Sequence, residues 1–135
     1  MANTINQTTL VQGKKKIVRY VTLVSDGTEE TDLVIYDSSA LNTVDPLTCK
    51  IVEIAGVVQI LDNTAVDVSV YLEFDATTDV HAISLPIGRP FCLNFDHFGG
   101  LKNYAGSGIT GDIVLTTTGL EAGDRIALAI TVDPN

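Results

Sequence analysis

VDVSVYLEF, residues 66–74, is the stretch whose reading decides the fold. Val66, Val68, Val70, Leu72 and Phe74 fall on one side of an extended chain, while Asp67, Ser69 and Glu73 fall on the other. A period of two is the signature of a strand with one face in a core and the other in water. Tyr71 shares the polar face, where its ring is available for contact. The same alternation closes the sequence, with Ile126, Leu128, Ile130 and Val132 facing in and Arg125, Ala127, Ala129 and Thr131 facing out.

Working outward, strand-like runs at 17–24, 33–36, 49–61, 80–85, 91–95 and 112–117 are separated by turn residues. The 49–61 run reads as one strand or as two hinged at Ala55-Gly56, because a glycine inside a strand marks a bend, a bulge or a close approach. No segment shows a capped apolar stripe of helical period, so at most one short turn is expected, in the 37–48 loop. Strands spaced roughly eight to twelve residues apart indicate an antiparallel sandwich or barrel. The expected fold is all-β, an antiparallel two-sheet β-sandwich, jelly-roll-like, with an extended N-terminal arm over 1–13 and a single domain over 14–135.

Seventeen acids against eight bases give a net charge of −9, which disfavours nucleic acid and anionic membranes as partners. The bases are unevenly placed: Lys14, Lys15, Lys16 and Arg19 stand in an otherwise uncharged first 25 residues. They read either as lysines guarding an edge strand or as a basic arm that docks on an acidic partner. Cys49 and Cys92 sit far apart in apolar runs and are expected to be buried free thiols, as in a reducing cytoplasm. MANTINQTTL has no signal core, no segment has the length and apolarity of a membrane span, and Asn6-Gln7-Thr8 is a sequon by letter alone.

Gly106-Ser107-Gly108-Ile109-Thr110-Gly111 spells GxGxxG, but that chemistry needs a helix after the loop to aim its amides at phosphate, and here a strand-like run comes next. His81 and His97 have no metal-ligand spacing, and His81, in parity with Ile83 and Leu85, is expected to be partly buried. Asp96 and His97 point to opposite sides, so with Ser107 they form no hydrolase trio. Two acidic groups, Asp75 with Asp79 and Glu29 with Glu30 and Asp32, lack the ordered spacing of a calcium loop, and Asp75 is read as a turn former. Neither catalysis, a cofactor nor a metal is expected.

FDATTDV, residues 74–80, and FGGLKNYAGSGITGDIVLTTTG, residues 98–119, resemble a pattern in small virion structural proteins of tailed bacteriophages. A vaguer echo is TDLVIYDSSALN at 31–42. The resemblance implies a virion protein, made in the host cytoplasm and carried on the capsid exterior as a decoration or cement protein. Its implied partners are the major capsid protein and further copies of itself, as a dimer or trimer. The contacts are expected from Lys14, Lys15, Lys16 and Arg19 and from Leu101, Asn103 and Tyr104 in the glycine-rich loop. Two alternatives stand beside it: a neck, tail or head-fibre component, and a carbohydrate-binding sandwich that stacks sugars on Tyr20, Tyr36, Tyr71 or Tyr104.

Overall fold

Alternation in the sequence becomes two facing antiparallel sheets in the computed structural model, which describes residues 3–13, 16–41, 49–61 and 67–134. Its strands are β1 (Thr4–Gln12), β2 (Ile17–Val24), β3 (Leu33–Tyr36), β4 (Lys50–Gln59), β5 (Ser69–Phe74), β6 (Val80–Ser84), β7 (Phe91–Asn94), β8 (Leu101–Lys102), β9 (Ile113–Thr118) and β10 (Arg125–Asp133). Sheet A has the order β1-β2-β10-β4-β7, with β8 also on β4; sheet B has the order β3-β9-β5-β6. Every pairing is antiparallel. The protein is a two-sheet β-sandwich. Among the described residues no helix is long and apolar enough to cross a membrane.

Val21, Leu23, Ile54, Val58, Ile126, Leu128 and Ile130 from sheet A meet Ile35, Val70, Leu72, Phe74, Ile113 and Leu115 from sheet B in one core. Aliphatic, mostly β-branched side chains fill it, and Tyr36 is its largest fully buried member. At roughly 25 cal/mol per Å2 of apolar area removed from water, each such residue contributes about 1.5–3 kcal/mol toward offsetting chain entropy.

Bulges set which residues reach that core. Val132 faces Ile51 and Thr131 faces Glu53, so Val52 is an extra residue in β4. It lets Ile51 and Ile54, which strict alternation would place on opposite faces, both point inward. β4 is thus one strand. Gly56 allows a close approach within it, since a Cβ there would lie 2.1 Å from the Ala127 carbonyl oxygen of β10. A second bulge, at Ile35, turns Ile35 and Tyr36 both inward.

A third bulge corrects an expectation. Leu72 faces Ile83 but Glu73 faces His81, so Ala82 is extra and parity reverses along β6. His81 is exposed on the outer face of sheet B, its ring 5.4 Å from that of Tyr71. Cys92 is a second correction: β7 turns Phe91 and Leu93 toward the interior, which leaves Cys92 exposed and donating to Glu53 Oε1 at 3.1 Å, while Cys49 is buried. Both thiols are free.

The N-terminal segment is extended, and β1 pairs with β2 from Thr4 to Gln12 with a register shift at Leu10. Arg19 fastens it. The side chain lies on the inward parity of Ile17 and Val21, and donates to Thr9 Oγ1 at 2.7 Å, Gln7 Oε1 at 2.7 Å and the Ile35 carbonyl at 3.1 Å. Gln7 adds a bond to the Val34 carbonyl at 3.2 Å. A polar seam thus joins β1 to β3 across the open side of the sandwich. Among the described residues helical structure is one turn of 3-10 helix at Asp96–Phe98; Ala40 and Leu41 amides also turn back onto the Asp37 carbonyl, and positions 42–48 of that loop lie outside the described residues.

Candidate functional site

The segment after β5 and the glycine-rich segment between β8 and β9 meet at one end of the sandwich. Asp75 holds them together. Its amide donates to the Asp112 carbonyl at 3.1 Å, its carbonyl accepts from Asn103 Nδ2 at 3.2 Å, and its carboxylate accepts from Thr110 Oγ1 at 2.7 Å. The carboxylate therefore bridges to the second loop instead of forming a local turn; Asp79 does the local work by accepting from the Ala76 amide at 3.2 Å. Thr77 donates to the Ser107 carbonyl at 3.2 Å, and Gly108, at φ +75°, packs where a Cβ would lie 2.6 Å from the Thr77 nitrogen. Asp112 Oδ1 accepts from the Ser38 amide at 2.8 Å and ties in the 37–41 turn.

A loop bonded at so many points is preorganised, and it presents the Tyr104 ring, 79% exposed, to water. Phe98, 84% exposed, lies outside that loop, in the 3-10 turn before β8. Beside Tyr104, residues Thr78–Val80 and Ala105–Ser107 line an open concavity of about 310 Å3. The expected contact residues separate into distinct roles. Tyr104 is free to touch a partner. Leu101 is half-buried, packed on the core from β8, and Asn103 is buried with its side-chain Oδ1 accepting from the Ala105 amide at 3.0 Å, so both shape the loop. Arg19 belongs to the seam with its charged head desolvated, which holds its pKa below the ordinary arginine value. Lys16 is exposed, and Lys14 and Lys15 lie outside the described residues. Phe98 joins Tyr104 as an exposed ring although it is not among the contacts expected from sequence; an apolar ring beside Gly99-Gly100 is the signal that could have found it.

The GxGxxG letters lie in this loop and lead into the strand β9. Asp96, His97 and Ser107 are exposed, and among the described residues no hydrogen bond joins them.

The structure assembles a different acidic group from the two read in sequence. Asp32, Glu73 and Asp79 bring carboxylate oxygens within 4.8 Å of one another on the outer face of sheet B. Asp32 holds a left-handed conformation at φ 53°, its amide donating to Thr116 Oγ1 at 3.2 Å. Burial, then the neighbouring charges of Asp79 and Asp32, raise the Glu73 pKa, and His81 partly opposes them. Among the described residues these three are the ones that could hold a metal ion; without one, their spacing means like-charge repulsion. No model of a known protein family, no curated protein and no solved structure matches the chain.

Proposed function

We propose that this chain is a structural protein of a tailed-phage virion, a decoration or cement protein that binds the major capsid protein on the outside of the shell. The observation that carries this reading is the phage-like pattern at residues 74–80 and 98–119, whose 74–80 and 103–112 parts form one cross-bonded loop end with Tyr104 outward. A shell stabiliser works by repeating one modest interface many times, which favours a rigid unit whose contact loops are ordered before binding. The strand order suits that role. With β1 and β8 set aside, the orders β2-β10-β4-β7 and β3-β9-β5-β6 support the jelly-roll reading, an architecture common in capsid and lectin domains.

Quantitative mass spectrometry of purified virions tests the reading. A ratio to the major capsid protein near one, or a large simple fraction of it, is the expected result. A few copies per particle transfers the chain to the neck, tail or a head fibre, and absence from the particle overturns the virion reading. The concavity beside the exposed Tyr104 ring favours, second, a carbohydrate-binding module; a glycan array without hits removes it.

A further inference from the structure

Sheet A ends on β1, and that edge differs from the other edges of the sandwich. β7 and β8 have four and two residues, and β3 and β6, the edges of sheet B, have four and five. β1 has nine residues, TINQTTLVQ, with neither a charge nor a proline. Among the described residues no strand pairs with its other side, where alternate residues present backbone N–H and C=O groups that β2 does not take. Short length, an edge lysine, a proline or a bulge are the usual guards against pairing with another chain. Of these β1 has the bulge alone, at Leu10, which leaves Thr4–Thr9 regular.

The two ends of β1 carry opposite charge. At its start, Asn3 donates to Glu30 Oε2 at 2.8 Å and to the Thr28 carbonyl at 3.0 Å, and accepts from the Asp26 amide at 2.9 Å. Those bonds fasten the acidic segment containing Asp26, Glu29 and Glu30 to that end. Just past its finish stands Lys16, whose side chain is exposed. A neighbouring β1 in antiparallel sense brings its Lys16 toward this acidic segment and its own acidic segment toward this Lys16, and the two-fold symmetry makes the attraction twice over.

We propose that β1 pairs antiparallel with β1 of a second copy, joining two six-stranded sheets into one continuous sheet across a two-fold axis. Parity restricts the register. Ile5, Gln7 and Thr9 face inward and Thr4, Asn6 and Thr8 outward. Residues opposite each other in an antiparallel pair share a face, so the axis passes beside Asn6 or beside Gln7. The inference goes beyond the virion reading and is independent of it: a chain absent from virions still pairs in this way, and a monomer can still decorate a shell.

Sedimentation velocity of the full chain over a concentration series is the test. The native chain sediments as a dimer. Asn6→Lys with Thr8→Lys, both on the exposed outer face, raises the dissociation constant at least tenfold while the far-UV circular dichroism and melting temperature hold. In a Cys92→Ser background, a mixture of Asn6→Cys and Thr8→Cys chains forms a disulfide dimer on mild oxidation. An axis at Asn6 joins two Asn6→Cys chains, and an axis at Gln7 joins one chain of each kind. A native chain monomeric at its highest soluble concentration, a dimer indifferent to the lysines, or neither cross-linked product overturns the proposal.

Discussion

Replacing Arg19 by alanine removes most of the polar seam between β1 and β3 and leaves the strand pairing of β1 with β2 in place. Three hydrogen bonds are lost, to Thr9 Oγ1, Gln7 Oε1 and the Ile35 carbonyl. Bonds from a charged donor contribute roughly 1.5–3 kcal/mol each when well buried, but these are partly buried and water replaces some of the loss, so about 1 kcal/mol each, or about 3 kcal/mol in total, is expected. With an unfolding entropy of roughly 2.1 cal/mol/K per residue, that loss lowers the melting temperature of a chain this long by about 10 °C. Scanning calorimetry measures the shift, and native-state hydrogen exchange locates it. The β1 amides should lose protection first, since the strand keeps one neighbour and is left with the Gln7 bond to the Val34 carbonyl as its tie to β3. Arg19→Lys keeps the charge and reaches one acceptor at best, so it recovers about a third of the loss. A loss under about 1 kcal/mol, or unchanged exchange in β1, would refute the seam as the device that holds this strand to the sandwich.

Gly108→Ala forces a Cβ against Thr77 in a left-handed conformation; it should raise the exchange of the Thr77 and Thr110 amides and lower shell occupancy at equal protein concentration, whereas a loop still protected contradicts the account of its preorganisation. Glu73 has a folded pKa raised above its unfolded value, so the native state binds more protons and stability rises as pH falls from the raised pKa toward the unfolded one. Glu73→Gln should therefore melt higher than the native chain at pH 7, with the difference closing on acidification; a lower melting temperature at pH 7 refutes the repulsion. Thiol labelling at pH 8 should modify Cys92 well ahead of Cys49, whose pKa burial pushes up to about 11. Glu53→Gln should speed the Cys92 reaction, because its hydrogen bond to Glu53 raises the thiol pKa; an unchanged rate counts against that bond in solution. Charge reversal at Lys14, Lys15 and Lys16 together, with Arg19 left intact, should weaken shell binding at low salt; equal occupancy at low and high salt refutes a basic contact.

β5 and β10 are legible in the sequence because two-residue periodicity survives wherever a strand is regular: Val70, Leu72 and Phe74, then Ile126, Leu128, Ile130 and Val132, all lie in the core. An extra residue leaves no such mark. Ala82, Val52 and Ile35 each reset the parity along their strands, and one such step moves His81 from the core face to the outer face. Arg19 is readable in part, since it shares parity with Ile17 and Val21; its neutral acceptors come from strands that adjoin it only in three dimensions. The glycines of the 98–111 segment announce a loop shaped by its backbone, yet its anchor, Asp75, lies more than thirty positions before Thr110. The acidic group of Asp32, Glu73 and Asp79 joins the β5–β6 hairpin to a residue about forty positions earlier, a grouping no spacing rule contains.

β10 lies in the middle of sheet A, between β2 and β4, although it is made after the other described strands. Until Arg125–Asp133 has left the ribosome, β2 and β4 have a gap between them where eight or nine ladder positions on each side should be filled. A nascent chain stopped short of this strand exposes two long unpaired edges and half a core, the state that quality-control proteases and chaperones recognise. Synthesis is thus coupled to folding through this one strand. Chains broken off before it are marked for removal by their own geometry, and those that form the sheet carry proof that translation reached Asp133.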